Sequence, residues 1–207
     1  MNGILEAFIE GIGLGITLSI LIGPSFFALI QTSIKNGFRS GIALAIGIFI
    51  SDLLCVAIAY FGATQLFNNP NNKLVIGVMG GTILIVFGIF SFFQKKKNEE
   101  ENIEIKTINL PLTILKGFAL NLLNPFVILF WIGWVGLISS RYEFAHLYVI
   151  VFFSSTLITV LTTDILKAIV AIKIKIFLTP LILIWVNRIV GVILIGAGVS
   201  LVVRVMY

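Results

Sequence analysis

From Gly11 to Ile34 the chain reads GIGLGITLSILIGPSFFALIQTSI, an apolar run without a formal charge, interrupted past its middle by Gly23-Pro24-Ser25. About 20 apolar residues suffice to cross a bilayer, so the run is long enough to do so. Pro24 has no backbone donor and its ring collides with the carbonyl four residues earlier, which predicts a kink or break there. Inside hydrocarbon, freed backbone groups are tolerated only where protein or a water-filled cavity satisfies them. A break at membrane depth is therefore either a packing kink or part of a transport site, because many secondary transporters build their sites from discontinuous helices.

Composition narrows the class. Hydrophobic residues make up 59% of the 207 and charged residues 11%, which excludes a soluble globular domain and makes the lipid bilayer the chain's solvent. The net charge of +5 comes from lysines placed between apolar runs, where positive charge orients membrane proteins; a nucleic-acid partner is not indicated. The opening residues carry Glu6 and Glu10 and no basic segment, so no cleaved secretory signal is expected. Cys55 stands alone in an apolar run, which leaves no intrachain disulfide or CxxC relay and suits a small buried hydrophobe. With one His and one Cys, no metal-site or nucleophilic-triad spacing exists; the expectation is no enzyme, no cofactor and no metal.

The apolar pattern predicts an all-α integral membrane protein with six spans, near 5–34, 41–61, 74–93, 117–138, 147–166 and 188–206, and a short interfacial helix at 174–186. Basic residues fall unevenly on the two sides of these spans. Eleven lie on one side (Lys35, Arg39, Lys95, Lys96, Lys97, Lys106, Lys116, Lys167, Lys173, Lys175 and Arg188) and three on the other (Lys73, Arg141 and Arg204). The richer side is expected to be cytoplasmic and both termini outside. The polar segment QKKKNEEENIEIKTINLP then joins the third and fourth spans inside the cell. This divides the chain into a first three-helix repeat (1–93), a cytoplasmic linker (94–116) and a second three-helix repeat (117–207).

Three spans on each side of a linker enter the membrane from opposite faces, which is inverted topology. Pro24 in the first span and Pro125, in Asn124-Pro125, in the fourth occupy corresponding places, so helices 1 and 4 are both expected to break. Asp52 in the second span and Asp164 at the end of the fifth also correspond. The proline-to-aspartate interval is eleven residues longer in the second half, and the loop at 139–146 is the simplest place for the excess. Glycines at 77, 80 and 81 and at 191, 196 and 198 suit close packing of the third and sixth helices, with an oligomer contact as the competing use.

A carboxyl group buried in a membrane is costly and by default marks a pathway or proton relay. Asp52 is the stronger candidate to alternate between protonated and ionised forms; Asp164 has Lys167 one turn away and can form a local ion pair instead. Gly23, Ser25, Asn121 and Asn124 flank the two prolines. Their amides and hydroxyls, with a half-helix N-terminus, can hold a zwitterion or can satisfy the backbone groups that the prolines free. Trp131, Trp134 and Tyr142 read as an aromatic belt at the outer interface, and His146 as a surface loop residue.

Gly23-Pro24-Ser25, NGFRSG from Asn36 to Gly41, ISDL from Ile50 to Leu53 and LNP from Leu123 to Pro125 resemble the LysE/RhtB family of amino-acid exporters over nearly the whole chain. The resemblance implies a multi-pass exporter of amino acids or related zwitterions in a bacterial inner membrane, driven by the proton gradient, without a prosthetic group. Ile22 replaces the first proline of the family's Pro-Gly-Pro pattern, and Ser25 takes the polar position. Phe130 stands where the basic-amino-acid branch can carry an acidic residue, which leaves neutral amino acids and other small metabolites open. The competing functions are a membrane thiol-redox carrier, which needs a cysteine pair, and an uncoupled channel or assembly factor.

Overall fold

The computed structural model describes residues 2–20, 23–66, 109–143 and 145–174, with individual helical positions between 78 and 93 and between 185 and 203. Among them every regular element is helical: α1 (Asn2–Ile20), α2 (Pro24–Asn36), α3 (Phe38–Leu66), α4 (Leu110–Leu122), α5 (Pro125–Arg141) and α6 (His146–Ile174). Among the described residues, Gly3–Ile20, Phe38–Gly62 and His146–Ala171 are each long and apolar enough to cross a membrane, and α4 with α5, bent by 67° at their junction, passes the same test when the two are taken together. The expected linker core, the interfacial helix and most of the third and sixth spans lie outside the described residues.

Local chemistry accounts for the boundaries. Pro24 and Pro125 each stand at the first position of a helix, where a missing N–H costs nothing and the fixed φ suits the turn. Asn109 and Asn124 cap α4 and α5, accepting from the amides of Leu112 and Phe126, both at 3.1 Å. The Asn109 cap, with Pro111 behind it, starts α4 at Leu110 rather than near Gly117. Gly37, at φ +80°, makes the abrupt turn from α2 into α3 that a side chain would resist.

Two seams organise the packing. Along the first, α1 lies on α6 with both chains running the same way. Thr156 donates to the Gly11 carbonyl at 3.0 Å, Ser19 and Thr163 share a hydrogen bond, and a Cβ on Gly15 would strike Thr159 and the Thr156 carbonyl. Along the second, α4 lies parallel to α3: a Cβ on Gly117 would run into the Leu44 carbonyl, one on Gly47 into the Ile114 carbonyl, and Asn121 reaches Ile48 further along. Without side chains these glycines bring the backbones together, which is how membrane helices associate when lipid offers no hydrophobic drive. α3 and α6 run oppositely, since Gly41 faces Ala168 while Tyr60 bonds His146.

The described positions of the remaining two helical stretches show the same device. Gly81 lies against Gly198 and Val202, and Gly88 against Gly191 and Ile195. Those glycines are used in packing within the chain; Gly196 has open space beside it.

Two expectations about spacing change. α6 runs on to Ile174, so Asp164 lies in its interior and not at its end. The apolar stripe continues past it through Ala168 and Ala171, both buried, so nothing stops the helix there. The eleven-residue excess of the second half is also not confined to a loop. α5 has 17 residues against 13 in α2, the α5–α6 connection is longer than the single Gly37, and Asp164 stands about one turn deeper in α6 than Asp52 in α3.

Replacing Gly47 by alanine should lower the thermal unfolding midpoint of the detergent-solubilised protein, at a cost of about 1–3 kcal/mol, because the new methyl meets backbone that no rotamer change can move. Gly13→Ala, where a Cβ meets nothing within 4 Å, should leave the midpoint unchanged or raise it slightly.

Candidate functional site

α3 carries two apolar contact regions. Leu44, Ala45 and Ile48 pack with Leu29 of α2 and Ala168 of α6. Cys55, Val56 and Ala59 pack with Ala7, Leu14, Trp131, Val135 and Phe152, among others. Between them stands Asp52, 6% exposed. A carboxylate at that depth needs donors, and two buried side chains supply them. Asn121 Nδ2 donates to Asp52 Oδ1 at 2.7 Å and Trp131 Nε1 donates to the same oxygen at 2.8 Å. Among the described residues no cation pairs with Asp52.

The break in the second half makes this convergence possible. On a straight helix, Asn121 and Trp131 would sit about 15 Å apart along the axis, given a rise of about 1.5 Å per residue. Instead α4 stops at Leu122, α5 starts at Pro125, and the two are bent by 67°. Both side chains then reach one oxygen atom. Asn124, a candidate for ligand binding, accepts from the Phe126 amide through Oδ1 and so caps the helix that Pro125 begins.

The first half joins the network at α2. Ser25 Oγ donates to Asn121 Oδ1 at 2.9 Å, completing a chain Ser25–Asn121–Asp52–Trp131 drawn from four helices. Gly23 is the N-cap of α2 and provides no side-chain acceptor, in contrast to Asn124 at α5. The space beside Gly23 is open, a Cβ there meeting nothing within 4 Å.

Asp164, also buried, is not part of that network. Lys167 Nζ binds its Oδ1 at 2.8 Å and lies 5.5 Å from the centre of the Phe26 ring. Both carboxylates are thus linked to the first turn of α2, Asp52 through Asn121 and Ser25 and Asp164 through Lys167 and Phe26.

The reading of Trp131 as an interface residue is overturned: it is 2% exposed and bonded to Asp52. Spacing on either side of a bend carries no signal of a shared partner, although a tryptophan one helix beyond a Leu-Asn-Pro break invites the question. Trp134 is half-buried, stacked on Phe152, and Phe130 lies against Phe126, Trp131 and Trp134. His146 is exposed at the start of α6 and bonded to Tyr60. At that same end Arg141 binds Glu10 at 2.6 Å and Glu6 at 3.2 Å, while Tyr142 donates to Glu10 and stacks on Tyr148. Exposed ion pairs of this kind contribute about 0–1 kcal/mol, so this clasp can open.

Fold and site together define a multi-span helical membrane protein built around a neutrally solvated carboxyl group and a broken helix. The family model for the LysE type translocator matches residues 16–205, and the chain belongs to that family. It is 30% identical to YcgF of Bacillus subtilis, named for amino acid efflux, over 81% of each chain. It is 26% identical to the leucine efflux protein of Klebsiella pneumoniae over 58% of this chain and 57% of that one. YahN of Escherichia coli, described only as a membrane protein, is 24% identical over 62% of this chain and 59% of its own length. No solved structure matches.

Changing Trp131 to Phe should remove one donor from Asp52 and cost about 1–3 kcal/mol in detergent unfolding. A double-mutant cycle with Asp52→Ala should return a coupling energy of similar size; additive effects would mean that the indole contributes only packing.

Proposed function

We propose that this protein exports amino acids from the bacterial cytoplasm in exchange for protons, at a site formed by Gly23, Pro24, Ser25, Asp52, Asn121 and Pro125. Asn124 holds the second break in shape, and Asp164 borders the site. The observation that carries the reading is the buried Asp52, paired with no cation among the described residues and linked through Asn121 to Ser25 at the start of a proline-initiated helix. Two relatives, named for amino acid efflux and for leucine efflux, suggest the substrate class and direction.

The chemistry follows from one carboxyl group with two uses. A substrate ammonium can bind Asp52 only when the carboxylate is ionised, and a proton can bind only when the ammonium is absent. Carrying one or the other, never both, turns the site into an exchanger. The free amides of Ser25 and Phe26 at the head of α2 suit the substrate's carboxylate, because a helix N-terminus concentrates partial positive charge.

In this reading residues 1–93 and 110–207 are inverted three-helix repeats, the second beginning with α4 at Leu110 rather than at 117, joined by a cytoplasmic linker shortened from 94–116 to 94–109, with both termini outside an inner membrane. Each repeat lends its first helix to the other's second, α1 to α6 and α4 to α3. Rocking about the α2 and α4–α5 breaks would expose the site to each side in turn.

The test is efflux from proteoliposomes with and without an imposed pH gradient. The wild-type chain should move leucine faster when the gradient is applied. Asp52→Asn, folded by the same unfolding assay, should lose that acceleration entirely. Acceleration retained in the variant excludes Asp52 as the exchange site, and no acceleration in the wild type favours an uncoupled channel.

A further inference from the structure

The two buried carboxylates are not equivalent. Asp52 is held by neutral donors, whereas Asp164 carries its own ammonium, Lys167, at 2.8 Å. That pair is shielded, with side-chain exposures of 16% and 12%, unlike the open Arg141 clasp at the other end of the molecule. The Phe26 ring supports the Lys167 cation from α2, so Lys167 has both an anion and an aromatic face.

We infer that Lys167 decides which amino acids the site accepts: it occupies Asp164 as a built-in substitute for a cationic side chain, restricting the protein to neutral amino acids and excluding lysine and arginine. This rests on the exporter reading above. A substrate whose ammonium binds Asp52 lies near the first turn of α2, and among the described residues the second buried carboxylate linked to that turn is Asp164, through Lys167 and Phe26. A lysine or arginine side chain needs an anionic partner once it leaves water, because an unpaired charge buried in protein is heavily penalised. Asp164 is the available candidate, and a tethered cation already holds it. An incoming side chain would have to displace that intramolecular competitor and leave it unpaired. A neutral side chain makes no such demand. The aromatic group of Phe126, Phe130 and Trp134, beside Trp131, carries no charge either.

Lys167→Met retains the length and the contact with Phe26 while removing the charge. Proteoliposomes loaded with leucine and lysine should show the ratio of lysine to leucine efflux rising roughly tenfold or more in this variant, the scale of one charge-assisted hydrogen bond. Adding Asp164→Asn to it should return the ratio to the wild-type value. An unchanged ratio in Lys167→Met, with leucine still moving, overturns the role of Lys167 and leaves the exporter reading standing. Wild-type protein that moves lysine as fast as leucine overturns it as well, independently of how the variant folds. Wild-type protein that moves neither overturns both readings.

Discussion

The structure depends on keeping one carboxyl group, Asp52, buried with no counterion among the described residues. An unpaired charge at the centre of a membrane costs about 2.5–3.5 kcal/mol on insertion scales, and the chain meets that cost with hydrogen-bond donors. Asn121 and Trp131 converge on a single oxygen, and Ser25 orients the amide that makes one of those bonds. Four helices are thus drawn to one point. The glycines at positions 47 and 117 let α3 and α4 approach closely enough for the short asparagine side chain to reach.

The second carboxyl group shows the cheaper solution. Asp164 and Lys167 are three residues apart on one helix, so their pairing is local and asks nothing of the rest of the fold. α6 runs through them without interruption to Ile174. The nonlocal partners of Asp52 need the bent α4 and α5 pair in register with α3 and, through Ser25, with α2, which ties the surroundings of that carboxyl group to the placement of four helices. A LysE type translocator requires such a tie if binding on one side is to be linked to opening on the other.

The seams differ in kind from the contacts at the ends of the helices. α1 on α6 and α4 on α3 are glycine contacts between backbones, stiff and closely fitted. The ends are held differently: at one end by exposed carboxylates around Arg141, at the other by the single Gly37 between α2 and α3. Rigid seams with weak closures permit rigid-body motion more readily than repacking of the interior.

Much of this was legible in the residues alone. The apolar runs determined an all-helical membrane protein, since only helices and closed barrels satisfy every backbone group in lipid. Pro24 and Pro125 were legible as helix boundaries because a proline acts within a turn of its own position, and Asp52 stood out as a carboxyl group inside an apolar run. The role of Trp131, the commitment of Asn124 to its own helix, the depth of Asp164 in α6 and the distribution of the eleven extra residues were decided only by tertiary structure. Each depends on where one helix lies relative to another, and periodicity along a chain holds no record of the direction in which that chain turns after a break.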